Sequence, residues 1–291
     1  MNLLTIFARF PDQEACIEYL EKVRWDDAPS CPYCGSTHVA RKSESERVGR
    51  WNCHGCTSSF NVLAQTIFEK TRVPLQKWFL AVGLVVHAKK SLSSCQLARD
   101  LDLNQKTAWY MQQRIRSAML TKEADLLQGI VEADETYVGG KPRKGNKRDD
   151  DKPSKRGRGT SKVPVIGAVE RGGRVVARVV EDLSGKGILR FLKASIDPKG
   201  SLLITDELSA YNAASEVFNR ASVNHKKYYA DGGTHTNTIE SFWALIKRAW
   251  YGSHHHYTRR YMPLFVAESC WKYNHRKGAD LFTAFMRGSV A

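Results

Sequence analysis

The sequence lacks an apolar run long enough to cross a membrane. Its longest apolar stretch, residues 78–88, is bounded by Lys77 and Lys89 and has eleven residues, whereas a spanning helix needs about twenty. The first ten residues have no basic residue ahead of their short apolar stretch and no clear cleavage site, which argues against a secretory signal peptide. We therefore expect an intracellular protein, whose seven cysteines are reduced thiols or metal ligands and not disulfides.

Acidic residues are also in short supply. The 291 residues contain 30 Asp and Glu against 45 Lys and Arg, a net charge of +15 at pH 7. The 42% hydrophobic content excludes a chain that is disordered by composition, and the length suggests about two domains. The positive surplus favours a polyanionic partner, for which nucleic acid and an acidic membrane surface are both open at this point.

Four cysteines form a symmetric pair of knuckles. Cys31 and Cys34 make one C-x2-C motif, Cys53 and Cys56 make a second, and eighteen residues separate the two. Two knuckles at this separation can offer four thiolates to one tetrahedral Zn²⁺, which predicts a zinc ribbon. The zinc is expected to be structural, because four thiolates leave no open coordination position for catalysis.

A helix-turn-helix is predicted after the ribbon. Residues 94–101 read as a short helix, 102–104 as a turn and 105–116 as a longer basic helix. In such a motif the second helix enters the major groove with its N-terminal residues at the bases. The expected base-reading residues are Gln105, Lys106, Thr107 and Tyr110, with Arg114 and Arg116 placed on phosphates; an ordinary helical hairpin is the alternative.

The remainder of the chain mixes strands and helices. Strands are predicted at 130–138, 162–169, 173–180, 201–206 and 221–230, and helices at 187–195 and 238–250. This order is typical of a ribonuclease H-like domain. The predicted fold class is a multidomain α+β protein: an N-terminal segment with the zinc ribbon (1–65), a helix-turn-helix region (66–125) and a ribonuclease H-like catalytic domain (126–291).

A basic loop interrupts this third domain at residues 139–162. It holds ten Lys and Arg against three Asp, together with five Gly and two Pro, which is typical of a flexible DNA-contacting loop or of a solubilising insertion. The loop residues that we expect to contact DNA are Lys141, Arg143, Lys144, Arg156 and Arg158.

Three carboxylates carry the predicted chemistry. Asp134 follows an apolar strand, Asp206 ends another, and Glu240 opens a helix; in the predicted fold the two strands are neighbours. Oxygen ligands gathered without Cys or His suit Mg²⁺ or Mn²⁺, and two such ions stabilise in-line phosphoryl transfer. Lys247, seven residues after Glu240, shares its helix face and is expected at a phosphate. Three ordinary surface acids are the alternative.

Several motifs together resemble insertion-sequence transposases of the DDE type, in particular the ISXO-like group with an N-terminal zinc ribbon. The matching segments are residues 131–141 (VEADETYVGGK), 165–171 (VIGAVER), 204–211 (ITDELSAY), 235–248 (HTNTIESFWALIKR) and 273–276 (YNHR). The separation of 34 positions between Asp206 and Glu240 also fits. Some members of the group have Asn as the third residue, whereas this chain has the acid.

The resemblance implies a metal-dependent polynucleotidyl transferase. Such an enzyme binds terminal inverted repeats, cleaves a strand there and joins it to target DNA, with Asp134, Asp206 and Glu240 holding two Mg²⁺ or Mn²⁺ ions and Lys247 assisting. His235 and Asn237 match the motif before the third acid, which implies a role in placing DNA. The implied partners are double-stranded transposon ends and target and a second copy of the chain, in the cytoplasm of a prokaryote at its nucleoid. A DNA-binding regulator that has lost catalysis and a structure-specific nuclease of the same fold are the alternatives.

Overall fold

The computed structural model describes residues 1–42, 49–120, 125–140, 162–223 and 234–290. These residues form two compact units: unit 1 is Met1–Met119 with Lys277–Ala291, and unit 2 is Leu120–Arg276. Zinc-ribbon, helical and mixed α/β parts are all present, so the predicted fold class is confirmed. Within the described ranges, no helix has the length and apolar character that crossing a bilayer would require.

Unit 1 combines helices with a small antiparallel sheet in the order β1-β2-β3. Its elements are α1 (Leu3–Arg9), α2 (Gln13–Trp25), β1 (Val39–Arg41), β2 (Arg50–Cys53), β3 (Ser59–Asn61), α3 (Leu75–His87), α4 (Ser94–Asp100), α5 (Gln105–Ala118) and α9 (Leu281–Val290). The sheet packs on α2 through aromatic side chains. The Trp25 ring of α2 makes edge-to-face contacts with the rings of Trp51 and Phe60, at centroid distances of 5.8 Å and 5.9 Å. These aromatic pairs give the small ribbon a hydrophobic support of its own.

The predicted helix-turn-helix is present as α4 and α5. Ser93 caps α4 by accepting a hydrogen bond from the Gln96 amide, and Asn104 caps α5 by accepting one from the Thr107 amide. Both caps satisfy amides at a helix start, which lack partners inside the helix. Asp102, in the turn between the helices, has a positive φ of 47°. Local sequence signals therefore fix both helix starts and the short turn.

The C-terminal helix belongs to unit 1, which corrects the predicted catalytic domain of residues 126–291. Helix α9 buries Phe282, Phe285, Met286 and Val290, and the Phe282 ring lies 5.6 Å from Phe79 of α3 and 6.1 Å from Phe10. An apolar helix face needs a core to cover it, and that core is provided by α3 and its neighbours. The predicted boundary at residue 65 stays a prediction.

Unit 2 is built on a five-stranded sheet in the order β6-β5-β4-β7-β8. Its elements are β4 (Leu127–Val138), β5 (Val163–Glu170), β6 (Val175–Val179), α6 (Gly185–Ser195), β7 (Ile196–Asp206), a 3-10 segment (Ser209–Glu216), β8 (Asn219–Val223), α7 (Asn237–Arg248), a π-helical turn (Ala249–His254) and α8 (Met262–Asn274). Strands β4, β5 and β6 form an antiparallel meander, whereas β7 and β8 run parallel to β4. The predicted order of elements and the predicted neighbours, the first and fourth strands, are confirmed.

Alternation along β4 separates two cores. Val131 and Ala133 face the core that includes Ile188 and Leu192 of α6, whereas Val138 faces the core that includes Phe242 and other apolar residues of α7 and α8. Successive side chains on a strand point to opposite faces. Even-numbered residues of β4, including Asp134, therefore share the face on which α7 packs.

Phe282→Ala tests the assignment of α9 to unit 1. Phe282 is fully buried, and deletion of such a side chain typically costs about 3–5 kcal/mol. Hydrogen exchange of α3 amides is expected to show a loss of stability on this scale, while amides of β5 in unit 2 keep their protection. Phe7→Ala is the matched control, because Phe7 of α1 is 66% exposed. Unchanged α3 protection in Phe282→Ala would contradict the assignment.

Candidate active site

Asp134 and Asp206 lie on neighbouring parallel strands. Glu132 of β4 is paired with Ile204 of β7, and the two aspartates follow these residues by two positions on their own strands. Because side chains alternate along a strand, the same register brings both carboxyl groups to one face of the sheet. The structure therefore brings these two predicted metal ligands together at the carboxyl end of β7.

Helix α7 is docked onto this face through Trp243. The indole Nε1 donates a hydrogen bond to Asp134 Oδ2 at 2.9 Å. The ring fits there because residue 167 of β5, which is paired with Asp134, is a glycine: a Cβ at Gly167 would lie 2.6 Å from a carbon of the Trp243 ring. The sequence analysis missed Trp243 as a partner of the acids, although a glycine inside an apolar strand signals a close approach.

The environment of Asp134 disfavours its charged form. Burial, followed by the Glu135 carboxylate, raises the pKa of Asp134 to about 7, and the Asp206 carboxylate also raises it, while the Trp243 hydrogen bond opposes the rise. Like charges and low polarity both stabilise the protonated acid. A cation placed at these carboxylates would remove this penalty, so the electrostatics fit a metal site.

Glu240 lies in the first turn of α7, three residues before Trp243. Its side chain is exposed, and its Oε1 accepts a hydrogen bond from Thr236 Oγ1 at 2.9 Å. Lys247 lies two turns further along α7 and is also exposed. A spacing of seven residues puts both side chains on the same side of the helix, as the sequence predicts.

The three acids do not form a tight cluster. Among the described residues, the four ribbon cysteines are the one group of three or more potential ligands whose ligand atoms all lie within 4.8 Å of one another. The ligand oxygens of Asp134, Asp206 and Glu240 are thus spread more widely than in a compact cage for a single ion.

The four ribbon cysteines have the geometry that four-thiolate coordination requires. Cys31 Sγ lies 3.7 Å from Cys56 Sγ, and Cys34 Sγ lies 3.5 Å from Cys53 Sγ. A tetrahedron with Zn–S bonds of about 2.3 Å has S–S edges of about 3.8 Å. The donor set therefore fits one structural Zn²⁺.

The predicted base-reading residues remain accessible at the start of α5. Gln105, Lys106 and Tyr110 are exposed and Thr107 is half-buried. Gln105 Nε2 also donates to Ser94 Oγ at 2.9 Å, a contact that joins the starts of the two helices. Their contact with bases stays a prediction.

The two arginines of α5 are held inside unit 1. Arg116 is 1% exposed and donates to Ser91 Oγ, so the predicted phosphate contact of Arg116 is wrong for this structure. Arg114 donates to the backbone carbonyls of Glu69 and Thr66, both at 3.0 Å, and to Tyr110 Oη at 2.7 Å. Both guanidinium groups donate hydrogen bonds to neighbouring segments of unit 1. Helical periodicity alone does not distinguish such an arginine from one that is free to bind DNA at the surface.

The other predicted DNA-contacting residues divide into two groups. Asn237 is exposed at the start of α7, and His235 is half-buried just before it. Lys141, Arg143, Lys144, Arg156 and Arg158 of the basic loop lie outside the described residues.

A fully buried acid of β4 was also missed by the sequence analysis. Glu132 is 0% exposed, and its carboxylate is bonded to Arg171, to Thr238 and to the Ile239 amide. The sequence does show an acid in the middle of an apolar strand. A buried carboxylate at such a position requires hydrogen-bond donors or a positively charged partner.

Comparison with known proteins places this arrangement in a family. Residues 126–274 match the model of the ISXO2-like transposase domain, and residues 11–59 match that of the transposase zinc-ribbon domain. The chain belongs to the ISXO2-like transposases. A relative from Halobacterium salinarum, described as an uncharacterized protein in transposable element ISH50, is 32% identical over 255 residues, covering 84% of this chain and 85% of the relative. The resemblance inferred from the motifs is confirmed.

Solved structures that resemble this chain include an integrase core domain and a strand transfer complex. The catalytic core domain of BIV integrase matches with a TM-score of 0.31 and 13% identity, covering 52% of this chain and 85% of that one. The Mos1 strand transfer complex matches with a TM-score of 0.31 and 11% identity, covering 72% of this chain and 73% of that one. The family assignment depends on the sequence matches and not on these distant likenesses.

Asp134→Asn tests the electrostatics of the site. The pKa of Asp134 in the folded protein, about 7, lies above its ordinary value of 3.8. The folded state therefore holds the proton more tightly and loses stability as pH rises between these values. The Asn variant lacks this penalty, and its stability advantage over wild type is expected to grow from pH 4 to pH 7, to at most about 4 kcal/mol.

Urea unfolding followed at several pH values in magnesium-free buffer measures the effect. Glu216→Gln, which neutralises an exposed acid of unit 2, is the matched control. An advantage of Asp134→Asn that does not change with pH would contradict the raised pKa.

Proposed function

We propose that this protein is a DNA transposase that binds the terminal inverted repeats of an insertion sequence and catalyses metal-dependent strand cleavage and strand transfer. The observation that supports the proposal most directly is the placement of Asp134 and Asp206 on adjacent strands, beneath the helix that carries Glu240. The fold, the intact acid triad and the family membership all point to the same reaction class.

The proposed roles follow from the positions of the side chains. Asp134, Asp206 and Glu240 hold two divalent cations, and Lys247, exposed on the Glu240 side of α7, binds a phosphate of the DNA strand. Bound Mg²⁺ or Mn²⁺ would supply activation of a nucleophile and stabilisation of the leaving oxygen. Water is the nucleophile for cleavage, and the released 3′-hydroxyl is the nucleophile that joins the end to target DNA by a second in-line displacement.

DNA selection is assigned to unit 1. Selection of a sequence requires contacts to bases, since phosphate contacts only position the protein. The exposed start of α5 presents Gln105, Lys106, Thr107 and Tyr110 for such contacts in the major groove. The basic loop is assigned to contacts with DNA phosphates, and His235 and Asn237 are assigned to placement of the DNA. Joining two transposon ends requires at least two copies of the chain, so we propose a homodimer or larger assembly on DNA, in the cytoplasm.

The experiment is incubation of the protein with a plasmid that carries the element's ends, followed by mapping of nicks and junctions. With Mg²⁺, wild type is expected to cut at the ends and to join them to target DNA. Asp206→Ala is expected to lose both reactions while it binds the ends as wild type does, because the substitution removes a metal ligand and leaves unit 1 intact.

Each alternative has its own outcome in the same experiment. Binding without cleavage in any divalent cation would indicate a regulator, and cleavage without joining or end preference would indicate a structure-specific nuclease. Full activity of Asp206→Ala would contradict the proposed metal triad.

A further inference from the structure

Glu132 caps a helix that begins more than a hundred residues later in the chain. Its Oε2 accepts hydrogen bonds from the Thr238 amide at 2.8 Å and the Ile239 amide at 3.1 Å, and its Oε1 accepts one from Thr238 Oγ1 at 2.9 Å. The first amides of a helix have no partner inside the helix, and a negative charge near them is favourable. The acid of β4 therefore satisfies the N-terminus of α7.

Helix α7 has no side-chain cap of its own. Thr236, at the N-cap position, makes no capping hydrogen bond from its side chain; its hydroxyl donates to Glu240 Oε1 instead. A Thr at this position usually accepts a hydrogen bond from one of the first amides of its helix. The start of α7 is consequently fixed by the sheet and not by the adjacent residues of the chain.

A buried ion pair keeps Glu132 in place. Arg171 Nε donates to Glu132 Oε1 at 2.6 Å, and Arg171 Nη2 donates to the His235 carbonyl at 2.9 Å. His235 Nδ1 lies 3.2 Å from Glu132 Oε1. A carboxylate that is 0% exposed is tolerated only when it is paired and hydrogen-bonded in this way. Arg171 thus links the buried acid to the residues that enter α7.

The position of this cap bears directly on the acid triad. Glu132 lies two residues before Asp134 on the same face of β4, and its partner Ile239 directly precedes Glu240 in the chain. One turn later, Trp243 of α7 is bonded to Asp134. Two contacts, one on each side of Glu240, therefore tie the helix to the strand that carries the first acid.

We propose that Glu132 is a positioning residue that holds the Glu240 carboxylate at the distance from Asp134 that catalysis requires. The proposal rests on the proposed function for its catalytic consequence, but its structural part does not. A residue that holds a ligand-bearing element typically changes metal affinity or activity by about 10–100-fold when it is replaced, because small displacements of reacting groups are costly. A purely stabilising residue would change the amount of folded protein and leave the metal dependence of the remaining enzyme unchanged.

The first measurement is hydrogen exchange of the full-length protein without DNA. Glu132→Gln keeps one acceptor oxygen and loses the charge, whereas Thr238→Val removes one donor and leaves the Glu132–Arg171 pair intact. Exchange at the start of α7 is expected to accelerate about tenfold or more in Glu132→Gln relative to the rest of unit 2, and less in Thr238→Val. Wild-type exchange at residues 237–241 in folded Glu132→Gln would overturn the cap.

The second measurement is the Mg²⁺ dependence of end cleavage. Glu132→Gln is expected to need roughly tenfold more Mg²⁺ for half-maximal rate and to bind the ends with wild-type affinity, with a smaller shift in Thr238→Val. Glu268→Gln is the matched control, because Glu268 of α8 is another acid that is 1% exposed and is paired with Lys272. Its Mg²⁺ requirement should equal that of wild type.

The two measurements separate failure of this proposal from failure of the proposed function. If wild type cleaves and Glu132→Gln shows the wild-type rate and Mg²⁺ requirement, the positioning role is wrong. An equal shift in Glu268→Gln would also overturn it, because the effect would then reflect loss of any buried pair. If wild type does not cleave with any metal, the proposed function fails, and the exchange measurement still decides whether Glu132 fixes α7.

Discussion

The fold and the site of unit 2 both depend on how α7 is held against β4. The helix packs through Ile239, Phe242, Trp243 and Ile246, an amphipathic stripe that by itself permits some sliding and rotation on an apolar sheet. Directional contacts remove that freedom. The Glu132 carboxylate bonds the first amides of the helix, and the Trp243 indole bonds Asp134 one turn after Glu240. Since Glu240 lies between these two contacts, the helix cannot shift without changing the acid triad.

Close packing and electrostatics both act at Asp134. Gly167 leaves the space that the Trp243 ring occupies, and the indole of that ring donates a hydrogen bond to the Asp134 carboxyl. Burial and the neighbouring Glu135 carboxylate raise the pKa of the Asp134 carboxyl, so its negative charge is poorly compensated by its surroundings. A site of this kind gains more from a bound cation than a solvated pair of acids would. The apolar packing of α7 thus contributes to the chemistry that the carboxylates can perform.

Predictions that depend on local pattern were confirmed. The knuckle spacing of the cysteines, the helical periodicity of residues 94–116 and the alternation of strands and helices each reflect nearby residues. They predicted the ribbon, the helix pair and the order of elements in unit 2. Several predictions that depend on tertiary contacts were wrong or were not made. Periodicity placed Arg116 on a helix face but did not show that this face is covered, and nothing near Glu132 indicates a helix start a hundred residues away. The packing of α9 with α3 is non-local in the same sense.

In the proposed function, Asp134, Asp206 and Glu240 are held so that they bind divalent cations together. The most direct measurement is anomalous diffraction from crystals of the full-length protein grown with Mn²⁺. We expect Mn²⁺ between the Asp134 and Asp206 carboxylates, with Glu240 as a ligand of the same ion or of a second ion about 3.5–4 Å away. Mn²⁺ bound elsewhere on unit 2, with the three carboxylates not coordinated to it, would show that these acids do not form a shared metal site.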